Sequence, residues 1–404
     1  MSKHASAPSA QDAPKGLLAS LTVLVMLATL ATNLYLPSLP SIAAEFGDDA
    51  GGARESLTAF LAAFAVAHLF WGPVSDRWGR RRVLMAGVIL YTLASAACSV
   101  APDLGFLLAA RALQGVGACA ASVLVRAIAR DWFRGAELAR ALAIILTLMT
   151  AAPGFSPLLG GIVEMTFGWR ADFVLLTLIG ACAMVLAWRS IPESNAARSA
   201  PLSLRGLLSD YRRIAATPEF LGPTLATSLG VGGLFAFFAS APTIFIGQLG
   251  MSAAMFGAIP AVLVFALFAG GAASAGLRRR FGANGAILIA AGLMVAGSVC
   301  MSVLFLTRGL GWMEVLLPLI VYLPGIGIMN PVATAAAMEP FPQNAGTAAA
   351  LNGFFQSTGS SCGIALLGLF PLPMGLPLTL LICSVGALLA AALCIARRRP
   401  AVAN

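Results

Sequence analysis

The chain has 404 residues, of which 59% are hydrophobic and only 10% are charged, and its formal net charge is +9. Soluble domains carry about 25% charged residues, so this composition excludes an ordinary soluble globular protein. The positive charge does not indicate nucleic-acid binding, because the arginines cluster at the ends of apolar blocks, as in the cytoplasmic flanks of membrane helices.

Long apolar blocks separated by short charged clusters predict an all-α membrane protein, since about 20 apolar residues cross a bilayer as a helix. Twelve transmembrane helices are predicted, at residues 17–39, 54–75, 83–101, 104–130, 139–163, 169–189, 219–247, 254–277, 284–306, 314–338, 345–370 and 373–396. The first block follows Lys3 and Lys15 but is too long for the core of a signal peptide, so it is predicted to remain as a span.

The chain divides at its longest polar segment, which is rich in arginine. The predicted parts are an N-terminal tail 1–16, a six-helix bundle 17–189, a linker 190–218 with a short interfacial helix at 202–214, a second bundle 219–396 and a tail 397–404. Cytoplasmic loops are enriched in Lys and Arg. With both termini inside, only Arg54, Arg170 and Arg308 lie outside, so we predict cytoplasmic termini and a bacterial inner membrane.

The seven cysteines all lie in apolar blocks and form no CxxC pair: Cys98, Cys119, Cys182, Cys300, Cys362, Cys383 and Cys394. No histidine cluster accompanies them, so we expect buried apolar thiols rather than a metal or redox site. No cofactor is predicted.

The stretch from Gly72 to Arg82 reads GPVSDRWGRRR at the end of the second span. Gly72 is expected to allow two helices to pack closely, and Asp76 lies at the membrane edge, where a charge needs a partner. Arg80 is four residues further on and within reach. Without its acid and its glycines, this stretch would be an ordinary positive cytoplasmic loop.

The fourth span contains Arg111 in the sequence RALQGVG, and it ends at Arg130 and Asp131. An arginine inside the membrane indicates a functional site. The alternative is that its charged head reaches the interface along a flexible stem.

The fifth span contains Pro153, Pro157 and Gly160 in the sequence APGFSPLLGG. Proline lacks an amide hydrogen and kinks a helix, whereas glycine permits close packing. These residues either form a moving element or a simple membrane kink.

These three stretches resemble the motifs of the major facilitator superfamily. The stretch in the fifth span resembles the pattern found in the antiporters of this superfamily. The first span ends in NLYLPSLP, which includes Asn33 and Tyr35; with GWR at 168–170 and AGT at 345–347, it resembles the Bcr/CflA branch of drug:proton antiporters. The resemblance implies two pseudosymmetric six-helix bundles around a central cavity that opens alternately to each side.

The resemblance also implies a cytoplasmic gate. Its residues would be Gly72, Asp76, Arg77, Gly79, Arg80, Arg130 and Asp131, with Pro153, Pro157 and Gly160 on the fifth span. Asp76, Arg80 and Asp131 are expected to form one network of charges.

Two residues depart from this branch, which commonly has Asp at the position of Asn33 and Gln at that of His68. The carboxylates noted near the spans fall in loops or at span ends, at Glu45, Asp48, Asp49, Glu55, Glu164, Glu314 and Glu339. His68 is therefore the predicted proton-coupling group, because histidine changes charge near neutral pH. The alternative is an ordinary hydrogen-bonded histidine inside the bundle.

The predicted substrate-binding residues are Asn33, Tyr35, His68, Arg111, Gln114, Phe235, Phe238, Asn330, Asn352 and Gln356. Each polar member either lines the cavity or bridges two helices, and the two phenylalanines either form a cavity wall or simply pack.

With Arg111 and no acid in the cavity, we predict proton-coupled efflux of a small neutral, anionic or zwitterionic amphipathic molecule. The expected partners are that small-molecule substrate, protons and the lipid bilayer, with no nucleic acid, and the protein is expected to be a monomer. One alternative is a nutrient importer or facilitator on the same fold. A remote alternative is a membrane enzyme or sensor, although the chain has neither an HExxH motif nor paired acids inside the membrane.

Overall fold

The computed structural model describes residues 14, 16–47, 51–194, 204–342 and 344–398. Every regular element in these residues is a helix. The helices are α1 (Leu17–Asn33), α2 (Leu39–Phe46), α3 (Gly51–Trp78), α4 (Arg80–Ser99), α5 (Leu104–Trp132), α6 (Gly135–Phe167), α7 (Trp169–Ser190), α8 (Leu204–Ala215), α9 (Pro218–Pro242), α10 (Ala253–Arg308), α11 (Trp312–Met338), α12 (Ala345–Gly368) and α13 (Gly375–Arg398).

Several predicted features fall wholly or partly outside the described residues. They are the two tails, the segment 195–203 of the linker with Arg198, and the acidic pair Asp48 and Asp49. Of the segment 202–214, predicted as a short interfacial helix, the residues from 204 onward form α8.

Ten segments of the described chain are long and apolar enough to cross a membrane, so the protein is a multi-pass membrane protein. The helix α12 is not among them, because its sequence is rich in glycine, serine and other small polar residues. The helix α10 counts once, although two spans were predicted there, at 254–277 and 284–306. Its 56 residues contain one non-helical position, Gly282, with φ 71° and ψ 176°.

The helices form two groups that follow the chain. In the first, α1 packs against α5, α6 and α7, and α3 and α4 both pack against α5. In the second, α9 packs against α11, α12 and α13, and α10 packs against α11 and α13. The groups meet mainly through α3 against α12 and α6 against α10.

The outer surface is largely apolar. Phe167, Leu306 and Phe265 are between 70% and 75% exposed, for example. In water such a surface would be costly, but it suits contact with lipid tails.

We distinguish the two ends of the helical assembly by their residues. The motif end holds Trp78, Gly79 and Arg80, between α3 and α4. The far end holds α2 and a 3-10 turn, Leu36–Ser38, that begins just after α1. Pro37 and Pro40 lie in the first turn of the 3-10 segment and of α2, where a missing amide hydrogen costs no helical hydrogen bond.

Candidate functional site

Arg111 lies on α5 and is completely buried, with 0% of its surface exposed. Its Nη1 donates to Ala31 O at 3.0 Å and also to Gln114 Oε1. The guanidinium carbon lies 4.3 Å from the ring centre of Tyr35 and 4.6 Å from that of Phe60. The Arg111 guanidinium therefore does not extend to the membrane interface, which was the alternative considered from the sequence.

The Arg111 guanidinium keeps two donors free. Its Nε and Nη2 atoms have no hydrogen-bond partner in the described structure. A buried cation with unpaired donors is costly, and aromatic faces compensate only part of that cost. These donors suit a carboxylate, carbonyl or nitro oxygen of a bound molecule.

The neighbours of Arg111 are also hydrogen-bonded. Gln114 Nε2 donates to Ser95 Oγ at 2.7 Å. Tyr35 shares a hydrogen bond of 3.1 Å with Ser56 Oγ. Asn33 Nδ2 donates to Thr29 O at 2.9 Å, whereas its Oδ1 is buried without a partner. The structure thus places Tyr35, Arg111 and Gln114 together and Asn33 close by along the chain, all in the first helix group.

His68 lies where the two groups of helices meet. Its Nδ1 is 3.1 Å from Phe64 O and 3.3 Å from Cys119 Sγ. A side chain at Gly353, on α12, would overlap the imidazole ring. The ring is 5% exposed, so movement of α12 against α3 would change its surroundings directly.

The polar candidates of the second group form two sites rather than one. Gln356 Nε2 lies 3.5 Å from Asn330 Oδ1 and 3.3 Å from Thr334 Oγ1, and Asn330 is exposed. Asn352 is buried and accepts a bond of 3.3 Å from Thr224 Oγ1. Asn352 therefore bridges α9 and α12, which is the alternative role considered for these residues.

A small apolar pocket lies between the groups. Its walls come from α6, α9, α10 and α11: Pro153, Leu234, Phe237, Phe238, Pro260, Leu263, Val264, Leu267 and Leu323. Phe238 lines this pocket. Phe235 packs edge-on against Phe238 at 6.0 Å and does not line this pocket.

The predicted charge network is present at the motif end. Arg80 forms ion pairs with Asp76 and with Asp131, the latter at 3.4 Å between Nε and Oδ2. Ser194 Oγ donates to the same Asp131 oxygen at 2.7 Å. All of these bonds join parts of the first helix group.

The sequence analysis missed Glu193 at this end. The backbone amide of Arg80 donates to Glu193 Oε1 at 2.7 Å, and that of Arg81 to Oε2 at 3.3 Å. Gly79 has φ 97°, and a side chain there would overlap this carboxylate. A carboxylate at the start of α4 also suits the positive end of the helix dipole.

Gly72 does not have the packing role expected from the sequence. A β-carbon at this position would meet no atom within 4 Å. The space beside Gly72 is open in this conformation, so the expected close helix contact is absent. Arg77 and Arg130 are exposed at the same end.

The fifth predicted span is one uninterrupted helix, α6, which passes through Pro153 and Pro157. Its glycines lie at close approaches. A β-carbon at Gly160 would overlap Leu34 O, and one at Gly161 would lie 2.5 Å from Ala253 O. This helix therefore joins α1 to the start of α10 at the far end.

Asp172, near the start of α7, also escaped the sequence analysis. It is 0% exposed, and its Oδ2 accepts a hydrogen bond of 2.5 Å from Ser38 Oγ. Its position three residues after Trp169 resembles an interface position, so only the tertiary structure reveals its burial. Asp172 was not among the carboxylates noted from the sequence, and it lies in the first turn of α7 rather than near the middle of a span.

The described residues contain no cluster of three or more metal-ligating side chains. Six cysteines are free thiols, and Cys182, Cys300 and Cys362 are exposed rather than buried as expected.

Comparisons with known proteins agree with this architecture. The family model described as Major Facilitator Superfamily matches residues 21–364. The chain is 31% identical to a chloramphenicol resistance protein of Pseudomonas aeruginosa over 352 residues, which are 86% of this chain and 82% of that protein. It is 29% identical to multidrug resistance protein D of Escherichia coli strain K12 over 362 residues, 88% of this chain and 89% of that protein.

Among solved structures, a bacterial homologue of the human lysosomal transporter Spinster, in an inward-facing and unoccupied conformation, has a TM-score of 0.71. Its sequence is 16% identical, and the match covers 95% of this chain and 96% of that one, so it supports the fold alone. With the motif-end network, the family match over most of the chain and the relatives together, we conclude that the chain is a transporter rather than an enzyme and belongs to the Major Facilitator Superfamily.

Proposed function

We propose that this transporter exports small neutral, anionic or zwitterionic amphipathic molecules in exchange for protons. The observation that carries this proposal is the buried Arg111 guanidinium, with two unpaired donors between aromatic rings. The apolar pocket between the helix groups supplies a surface that suits the apolar part of an amphipathic substrate. The names of the relatives point in the same direction, toward chloramphenicol and other drugs.

The proposed architecture has twelve spans in two pseudosymmetric bundles, 17–189 and 219–396. A helix of 56 residues would be about 84 Å long, far more than the roughly 30 Å core of a bilayer. We propose that α10 is two spans that meet at Gly282, and that α12 crosses the membrane despite its small polar residues. Its position between α3 and α9 supports this, because neighbours can satisfy polar groups inside a bundle.

The proposed orientation has the motif end and both termini in the cytoplasm of a bacterial inner membrane. The arginines at the motif end support it, since positive loops stay inside. Both bundles, the gate and the substrate-binding residues lie in one chain, so we propose that the protein acts as a monomer.

The far end is closed between the groups in this conformation. Gly161 and Leu158 of α6 lie directly against the start of α10, near Ala253 and Gly257. With the orientation above, this form is closed to the outside. Rocking of the two bundles would separate these contacts and open the far end.

The proposed gate at the motif end is the network of Asp76, Arg80 and Asp131, with Arg77, Gly79 and Arg130 around it. Its ion pairs here lie within the first helix group. In the outward-open form these arginines and acids would instead meet the ends of the second group.

His68 is the proposed proton-coupling residue on the motif side of the bundle. Its support is its place against Gly353, where relative movement of the groups changes its contacts. Protonation there would favour one arrangement over the other.

The test of the proposed function is transport by purified protein in liposomes. We expect chloramphenicol to exchange by counterflow, and an imposed pH gradient to drive its net movement against its concentration. Exchange without pH-driven accumulation would favour the facilitator alternative. Binding without any exchange would contradict a transport function.

A further inference from the structure

Asp172 is a buried acid that has no role in the transport cycle proposed above. Asp172 is completely buried, and among the described residues it forms no salt bridge. One oxygen, Oδ2, has the Ser38 hydroxyl at 2.5 Å, and the other, Oδ1, has no partner. An ionised carboxylate enclosed with a single hydrogen bond is costly, whereas a neutral acid is tolerated in such a place.

The charged groups around Asp172 do not compensate a negative charge there. Glu164 on α6 adds a second acid, and it is bonded to Ser41 Oγ at 2.5 Å. The neighbouring cation on α7, Arg170, is paired with Glu45 of α2 at 2.6 Å. Arg111 of α5 is directed to Ala31 and Gln114 and stacks near Phe173. The neutral titratable groups on the elements packed here are Tyr35, Tyr91 and Cys98.

Ser38 connects this acid to the contact between the helix groups. It belongs to the turn Leu36–Ser38, which packs against α6 in the first group and against α9 and α10 in the second. The hydrogen bond between Ser38 and Asp172 therefore ties α7 to an element of the closed far end. Opening of the far end would separate this turn from the second group and give water a path toward the carboxyl group.

We propose that Asp172 is a proton-binding site of the far-end gate, which takes up one proton when the far end closes and releases it when the far end opens. On closing, the carboxylate binds a proton from water. The neutral acid keeps this proton on Oδ2 and donates a hydrogen bond to Ser38 Oγ, the reverse of the bond that an ionised carboxylate accepts from the hydroxyl. Its Oδ1 is left as an uncharged carbonyl oxygen. On opening, the proton returns to water and the carboxylate is hydrated.

This site regulates the far-end gate of the proposed exchange of drug for protons, on which its place in the cycle rests. Its proton comes from the water at the far end and returns there, so it is not the proton that is exchanged for the drug. The site is distinct from the proposed proton site at His68, which lies nearer the motif end and packs against α12. A proton linked to closing favours the closed far end at low pH and the open far end at high pH. The closed-to-open ratio would change by up to about tenfold per pH unit.

The test measures the far end directly, without substrate. Spin labels are placed at Thr166 and Thr307, which are exposed at the far end on opposite groups, by unnatural amino acids that leave the native cysteines in place. We expect the short-distance population in the wild type to grow as the pH is lowered from about 8 to about 5. A wild-type distribution that does not change with pH overturns the proposal.

The variant Asp172→Asn carries a permanently neutral side chain. We expect its far end to stay predominantly closed at every pH, whereas the control Glu164→Gln keeps the wild-type pH dependence. If Asp172→Asn titrates like the wild type, or if Glu164→Gln loses the titration, Asp172 is not the site.

Ser38→Ala gives a second, independent variant should Asp172→Asn fail to fold. It removes the Ser38–Asp172 hydrogen bond of the closed form, so we expect closing to require a lower pH. An unchanged midpoint overturns the proposal. Counterflow of chloramphenicol by the wild type is measured in parallel: its absence contradicts the proposed transport function, while the distance titration still decides the role of Asp172.

Discussion

Arg111 illustrates how far one side chain can be understood at the residue scale. Its place four residues before Gly115 on a membrane helix indicates a function, but the sequence leaves the interface alternative open. The three aromatic rings around it, from Tyr35, Phe60 and Phe173, come from the turn after α1, from α3 and from α7. Only their convergence excludes the alternative.

Replacing Arg111 should reduce transport in a graded way. We expect Arg111→Ala to lower chloramphenicol counterflow about 100-fold, equivalent to about 2.7 kcal/mol, and Arg111→Lys to lower it about tenfold. Lysine keeps the charge but loses the planar set of donors that fits two oxygens and stacks on rings. Initial rates in proteoliposomes with equal protein content measure both. Full activity of Arg111→Ala would show that this guanidinium does not contact substrate.

At the motif end, Asp76→Asn should leave membrane insertion intact and reduce transport at least about tenfold, since Arg80 would lose one of its two acids. The matched control is Asp210→Asn on α8, whose exposed pair with Arg213 at 3.2 Å contributes little. Counterflow and expression level measure the two effects separately. Equal activity of the two variants would argue against a gating role for Asp76.

At the scale of elements, α6 joins the groups by close packing. Its glycines are placed where another backbone approaches, whereas Gly72 on α3 has open space beside it. The sequence contains both kinds of glycine in motif positions, and it does not distinguish them. The difference arises from which helix lies opposite.

Two alanine substitutions test this distinction. We expect Gly160→Ala to destabilise the protein by about 1–3 kcal/mol, because the added methyl group overlaps Leu34 O. Gly72 lies in the same helix group, and Gly72→Ala should leave the thermal stability of the protein unchanged. Thermal unfolding in detergent measures both, and an equal loss for the two variants would contradict the packing assigned to α6. A transport defect of Gly72→Ala alone would reveal a close approach in a second conformation.

At the scale of the whole molecule, coupling depends on where protons bind relative to the moving contacts. We expect His68→Gln to keep counterflow but to lose pH-driven accumulation, because glutamine fills similar space without changing charge. Cys119→Ala is the matched control, since it removes the sulfur atom near Nδ1 and leaves the imidazole ring. Both are measured as chloramphenicol accumulation against an imposed pH gradient. Undiminished accumulation by His68→Gln would assign the coupling proton elsewhere.

The sequence by itself determined the class of protein, most of its spans and the charged motif end. These features depend on the local length of apolar runs and on nearby charges, which residues close in the chain decide. The spans at 254–277 and 284–306 were found as apolar runs, but their joining at Gly282 without an intervening loop was not, since nothing in the local pattern marks one left-handed residue.

Only the tertiary structure decided which of the polar residues are enclosed, paired or open. Ser38 and Asp172 are 134 residues apart in the chain, and Gly353 meets His68 only through the packing of α12 on α3. Burial and hydrogen bonding depend on what lies opposite a side chain, and the opposite partner comes from a distant part of the sequence. For this reason the sequence predicted a functional site at Arg111 and a gate at Asp76. It predicted neither the unpaired donors of Arg111 nor the buried acid at the far end.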